Sequence, residues 1–177
     1  MHFFEGMKVT ILSLMLFASA AYAMPNDQDP TQLEVSSPAF NANAPIPAEY
    51  TCDGAGTAPA LNWTTPPAGT RTVALLAEDT DGPNGVVTHW LVTNINPRTT
   101  HLAKGGATPN GAFAANNDKG KPGYMGPCPS DGTTHHYHFH VYALDTIVKA
   151  NIARSAFESA IQGHVLAQGE LVGTFEK

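Results

Sequence analysis

The chain has 177 residues, enough for one domain with a substantial core, and a formal net charge of −6. That charge excludes a nucleic-acid backbone as the principal partner, because binding it needs a basic face. A charged fraction of 14% beside 16 Gly and 14 Pro signals many turns and little solvated helix, and 42% hydrophobic residues exclude a disordered chain.

Residues 9–20 are an almost unbroken apolar run, preceded by Lys8 and followed by Ala21-Tyr22-Ala23. A basic residue, a short apolar stretch and a small-x-small site describe a secretory signal peptide over residues 1–23. The run is shorter than the roughly 20 residues that a membrane span needs. The expected product is a single domain, residues 24–177, in the periplasm or outside the cell, with no transmembrane anchor. Residues 24–32 read as its flexible N-terminus. In an oxidising compartment the two cysteines, Cys52 and Cys128, are expected to pair.

Residues 72–77 are apolar on both alternations, as in a central strand covered on each face. Residues 87–95 alternate, with Val87, His89 and Leu91 on one face and Thr88, Trp90 and Val92 on the other. Residues 104–134 form a Gly/Asn/Lys/Pro-rich stretch without periodicity, a length of loop that usually serves function. Residues 136–144 are a third strand. One helix follows, with Asn151 as its cap, Phe157 and Ile161 on its buried face and Gly163 as its stop. Residues 165–175 then read as a closing strand pair interrupted by Gly169 and Gly173. Many strands and one late helix predict a mainly β fold, an antiparallel sandwich with a peripheral helix.

Four stretches could carry chemistry. Residues 78–83 place Glu78, Asp79 and Asp81 at the rim of the first strand, where Asp and Gly-Pro also make ordinary turns. His89 is either a hydrogen-bonded core residue or a ligand. Residues 123–132 offer backbone N–H groups near glycines for an anion nest, but lack the Gly-Lys-Ser/Thr ending of a nucleotide phosphate loop. In residues 135–140, period two sets His136, His138 and His140 on one face and His135, Tyr137 and Phe139 on the other. Three histidines on one face raise the possibility of Zn²⁺. Their spacing of about 7 Å along the strand is wide for one ion, and no carboxylate or cysteine at metal spacing is close in sequence. No metal is assigned, and the missing nucleophile elbow and H-E-x-x-H helix leave no catalytic residue to assign.

In order along the chain, Ala58-Pro59-Ala60-Leu61-Asn62-Trp63, Asp79-Thr80-Asp81-Gly82-Pro83, His89-Trp90, residues 123–129 and His135-His136-Tyr137-His138-Phe139 resemble the phosphatidylethanolamine-binding (Raf kinase inhibitor) family. The likeness is to its bacterial branch and covers about residues 33–176. It implies an antiparallel β-sandwich with one or two short helices, no cofactor, and a small pocket for a phosphate- or carboxylate-bearing ligand such as a phospholipid headgroup. Carried onto this chain, the ligand-binding residues are Asp79, Asp81, His89, Gly126, Pro127, Pro129, His135 and Tyr137, the last two turned inward. Thr80, Gly82 and Ser130 replace a proline, an alanine and a proline of the family pattern, the first two loosening the rim turn. His136 replaces an arginine, which implies that anion affinity rises below about pH 6.5. The expected function is capture of the anion without catalysis. The alternative is an inhibitor or signalling partner of a protease or kinase. A third reading is a metal-dependent hydrolase using Asp79, His89 and the histidine strand.

Overall fold

The structure is a computed structural model that describes residues 30–177; the expected signal peptide and residues 24–29 lie outside the described residues. In chain order it contains β1 (Thr31–Gln32), β2 (Val35–Ser36), β3 (Ala44–Pro45), a 3-10 turn at Ala48–Tyr50, β4 (Leu61–Trp63), β5 (Thr72–Asp79) and β6 (Val87–Ile95). Then come β7 (His101–Leu102), β8 (Phe113–Ala114), β9 (His135–Leu144), α1 (Arg154–Ile161) and β10 (Val165–Phe175).

β5 has apolar residues on both faces and takes the place where both are covered. It lies between β9 and β6 in a main sheet of order β1-β10-β9-β5-β6-β8. On one face Val73, Leu75 and Ala77 join Trp90, Phe139 and Val141 in a core closed by Leu61, Trp63 and Leu102 of the small β2-β4-β7 sheet. On the other, Ala74 and Leu76 join Leu91 and Leu144 beneath Phe157 and Ile161 of α1. Each fully buried Leu, Ile or Phe contributes about 1.5–3 kcal/mol. The expected sandwich is therefore present, and it is mixed rather than wholly antiparallel: β1 and β3 run parallel to β10.

Four local expectations change. Residues 31–32 are not loose, because β1 pairs with Ala167 and Gln168. β10 is one continuous strand of 11 residues, not a pair. Its glycines are slots, not breaks: a Cβ at Gly169 would collide with the Leu33 carbonyl, and one at Gly173 with the Ile46 and Phe40 side chains. The N-terminal segment packs across the strand at those two points. The helix caps differently too. Its N-cap is Ala153 without a side-chain hydrogen bond, while Asn151 takes a left-handed φ of 53° in the approach. Gly163, at φ 76°, does end the helix.

The fourth change places a site residue. Ala77 pairs with Trp90 but Glu78 pairs with Thr88, so His89 is an extra residue in a β-bulge. The bulge resets the alternation. Trp90 lies in the inter-sheet core and Leu91 under the helix, while His89 also faces the inter-sheet side, edge-on to Tyr137.

Candidate functional site

The bulge and the ends of β5 and β9 bring three polar side chains into a buried corner. Asp79, His89 and His135 are each no more than 5% exposed, so each needs an internal partner. Asp79 Oδ2 lies 2.7 Å from His135 Nδ1, and Asp79 Oδ1 accepts the Asp81 N–H at 2.9 Å. The other ring nitrogen of His135, Nε2, meets Asp131 Oδ2 at 3.2 Å. An imidazole between two carboxylates donates at both nitrogens, and only the imidazolium can. Burial opposes charge on His135, but its hydrogen bonds to Asp79 and Asp131 prevail and raise its pKa. Asp131 is drawn down to about 2 by the Thr133 hydroxyl, then by His135 and the Thr133 N–H.

His89 is the opposite kind of histidine. Its Nδ1 is 2.7 Å from the Met125 carbonyl, which can only accept, so Nδ1 carries the proton. Burial pushes its pKa down, against that hydrogen bond and the nearby Asp79. At neutral pH, His89 is therefore uncharged and its Nε2 is an acceptor.

The long irregular stretch supplies the remaining wall and is ordered by its own contacts. Asn117 organises the turn: its Oδ1 accepts from the Lys119 and Lys121 N–H groups, and its Nδ2 donates to the Gly123 carbonyl. Further on, Met125 N–H donates to the His89 carbonyl and the Pro127 carbonyl accepts from Cys52 N–H. The expected Cys52–Cys128 disulfide is formed, with Cα atoms 5.4 Å apart. Gly126 sits where a Cβ would press on the backbone of Tyr50 and Thr51; its role here is close approach of two chain segments. The rim turn is also tight, since a Cβ at Gly82 would strike the Gly85 carbonyl and the Val87 side chain.

The result is a cavity of about 170 Å³ lined by five of the expected residues, Asp79, His89, Gly126, Pro129 and His135. Asp131, Lys119 and Val87 line it too, and none of these was expected from sequence. Asp131 falls in the 123–132 loop, but only its contact with His135 marks it out. Three expected residues do not line the cavity. Pro127 is buried within the loop, its carbonyl accepting from Cys52 N–H. Tyr137 forms the layer beneath, its ring 5.2 Å from His89 and 6.4 Å from His135, and its buried Oη has no hydrogen-bond partner. Asp81 points outward, where its Oδ2 takes both the N–H and the Nδ1 of His136. Those bonds lower the Asp81 pKa. His136 is thus paired on the outside, and the titratable charge in the cavity belongs to His135.

Residues 36–176 match the family model described as phosphatidylethanolamine-binding protein. The chain belongs to that family. A Methanothermobacter thermautotrophicus relative, named only as a UPF0098 protein, is 38% identical over 82% of this chain and 99% of its own. LppC of Mycobacterium tuberculosis, named as a lipoprotein, is 41% identical over 81% of this chain and 72% of its own. Among solved structures, the family homolog CT736 of Chlamydia trachomatis superposes with a TM-score of 0.76 at 34% identity, covering 83% of this chain and 99% of its own. YbcL of Escherichia coli, described as a member of the mammalian family, gives 0.76 at 29% identity over 82% and 98%. The resemblance read from the five sequence segments is thereby established, and with it the sandwich.

Proposed function

We propose that this family member captures a small phosphate- or carboxylate-bearing ligand, such as a phospholipid headgroup, in the His89–His135 cavity, and does so outside the cytoplasm. One observation carries the reading of the site: a carboxylate of the chain itself already occupies the position an anion would take. The Asp131 carboxylate lies on Nε2 of the His135 imidazolium, coming from a loop residue that is 39% exposed at its side chain. An incoming anion takes the same nitrogen and releases Asp131 to solvent, while Asp79 holds the other nitrogen and keeps the ring charged. Lys119 adds a cation at the rim. Neutral His89 suits the protonated oxygen of a phosphate monoester, or the ammonium of a zwitterionic headgroup, because its Nε2 accepts. The disulfide and the relative named as a lipoprotein support a location beyond the cytoplasmic membrane.

The test is isothermal titration with phosphate, phosphoethanolamine and acetate, run on the protein and on Asp131→Asn and His135→Asn. Removing the competing carboxylate is expected to tighten binding several-fold. Removing the imidazolium is expected to weaken it at least about tenfold, the scale of one charge-assisted hydrogen bond. Failure of all three ligands to saturate the folded protein, or equal affinity in all three proteins, would overturn the reading.

A further inference from the structure

α1 covers only part of the outer face of the main sheet. Ala74, Leu76, Leu91 and Leu144 lie under it, but beyond its first turn that face changes character. There Glu78, His138, His140 and Glu170 replace the apolar side chains. Register explains how they meet. Glu78 on β5 pairs with His138 on β9, and His140, two residues on, pairs with Glu170 on β10. The four side chains come from three adjacent strands and are between 13% and 42% exposed.

Each distance in this group has a meaning for metal chemistry. His138 Nδ1 is 2.6 Å from Glu170 Oε1, and His140 Nδ1 is 3.5 Å from that same oxygen. One ligand atom from each of His138, His140 and Glu170 can be chosen so that all lie within 4.8 Å of one another. Ligand atoms around one tetrahedral ion, each bonded at 2.0–2.2 Å, stand about 3.4 Å apart. The separations therefore straddle the required value, and a small rotation of partly exposed side chains equalises them. The two rings are already parallel, 14° between planes and 5.8 Å between centroids, closer than strand spacing alone suggests.

The second nitrogen of His140 adds an independent feature. Its Nε2 points to Glu78 Oε1 at 3.5 Å, the direction a metal-bound imidazole uses to donate its remaining N–H to a carboxylate. Glu78 is in turn faced by Arg154 at 3.8 Å, and its Oε2 is buried without a hydrogen bond. Among the described residues, Glu170 has no Lys or Arg ion-pair partner; its contacts are the two histidines.

We infer that His138, His140 and Glu170 form a binding site for a divalent transition-metal ion of the zinc class, with Glu78 orienting His140. Two imidazoles with one carboxylate select Zn²⁺, Cu²⁺ or Ni²⁺ over Mg²⁺ and Ca²⁺, which prefer all-oxygen shells. Three protein ligands leave a fourth position for water, beside the groove lined by Gln32, Gln168 and Gly169. The site is distinct from the anion cavity. His138 and His140 have the opposite parity in β9 to His135, so they project from the other face of the sheet. His136 shares their face but is held by Asp81 and takes no part.

Chelator-stripped protein titrated with Zn²⁺ by calorimetry is expected to bind one ion, with Mg²⁺ at the same concentration producing no heat. His140→Ala and Glu170→Gln should each weaken Zn²⁺ binding by at least about tenfold, and Glu78→Gln by a comparable factor through His140. Their melting temperatures without metal show that they fold. His101→Ala, a histidine on the small sheet, and His135→Asn, in the anion cavity, should bind Zn²⁺ as the parent does. Co²⁺ in place of Zn²⁺ should give the intense visible bands of a four-coordinate site. Absence of saturable Zn²⁺ binding would overturn the inference, as would binding that survives in both His140→Ala and Glu170→Gln. Loss of binding in His135→Asn alone would place the metal in the anion cavity and overturn it equally.

Discussion

Two histidines separated by one aromatic ring hold opposite charge states, and partners set each state more than depth does. His135 is buried and charged because carboxylates sit on both of its nitrogens. His89 is buried and neutral because a carbonyl sits on one. For His135 the folded pKa is raised above the unfolded value of about 6.5. Its contribution to stability is complete below about pH 6.5 and is lost as pH rises through the folded value. His89 has the reverse sign: its pKa is lowered, so it costs stability as pH falls below about 6.5. Urea unfolding from pH 6.5 to 8.5 should therefore show the parent protein losing stability relative to His135→Asn, with the gap closing as pH rises. A parallel pair of curves over that window would mean that His135 is neutral, and the imidazolium assignment would fall. Acid acts through the other partners, since the carboxyls of Asp81 and Asp131 are held below the usual range and their bonds are lost only as pH falls through those lowered values.

Elements whose pattern is local were legible in the sequence. β5 was readable because residues 72–77 are an apolar run of strand length closed by a Gly-Pro turn signal, and β9 because its histidines alternate cleanly with Tyr137 and Phe139. The bulge at His89 was not readable, since the alternation of residues 87–95 continues through it and only the partner register betrays the extra residue. β10 was misread because Gly169 and Gly173 normally break strands, whereas here they admit Leu33, Phe40 and Ile46 from a segment more than 120 residues earlier. The histidine–glutamate group escaped for the same reason: Glu78 and Glu170 reach His138 and His140 across strands, not along them. A slot can be tested by filling it. Gly173→Ala places a methyl against two core side chains and should cost about 1–3 kcal/mol of overpacking, read as a lower urea midpoint at unchanged slope. Phe157→Ala, which empties the core beneath α1, should cost about 3–5 kcal/mol. If Gly173→Ala is neutral, the N-terminal segment is free to move off β10 and the slot has no structural role.

At the scale of the whole molecule, the main sheet separates two kinds of chemistry. Its inner face ends in the His89–His135 cavity, and its outer face carries the histidine–glutamate group beside α1. The long stretch that walls the cavity is fastened across the fold by the Cys52–Cys128 bond, its partners 76 positions apart in sequence. A cross-link closing a loop of that length restricts the unfolded chain strongly, and its removal is expected to cost about 2–4 kcal/mol. The native loop has other fastenings at the same place. Cys52 N–H donates to the Pro127 carbonyl, Tyr124 Oη donates to the Tyr50 carbonyl at 2.9 Å, and Gly126 lies against the backbone of Tyr50 and Thr51. Burial pushes the Tyr124 pKa up, so that donor keeps its proton throughout the working range. The disulfide then acts mainly on the unfolded state, and the cavity should keep its shape without it. The Cys52→Ala/Cys128→Ala protein is expected to unfold at a lower urea concentration while its phosphate affinity stays within about threefold of the parent, under 1 kcal/mol. A loss of affinity that grows with the loss of stability would show instead that the bond holds Pro129 and Asp131 at the cavity wall.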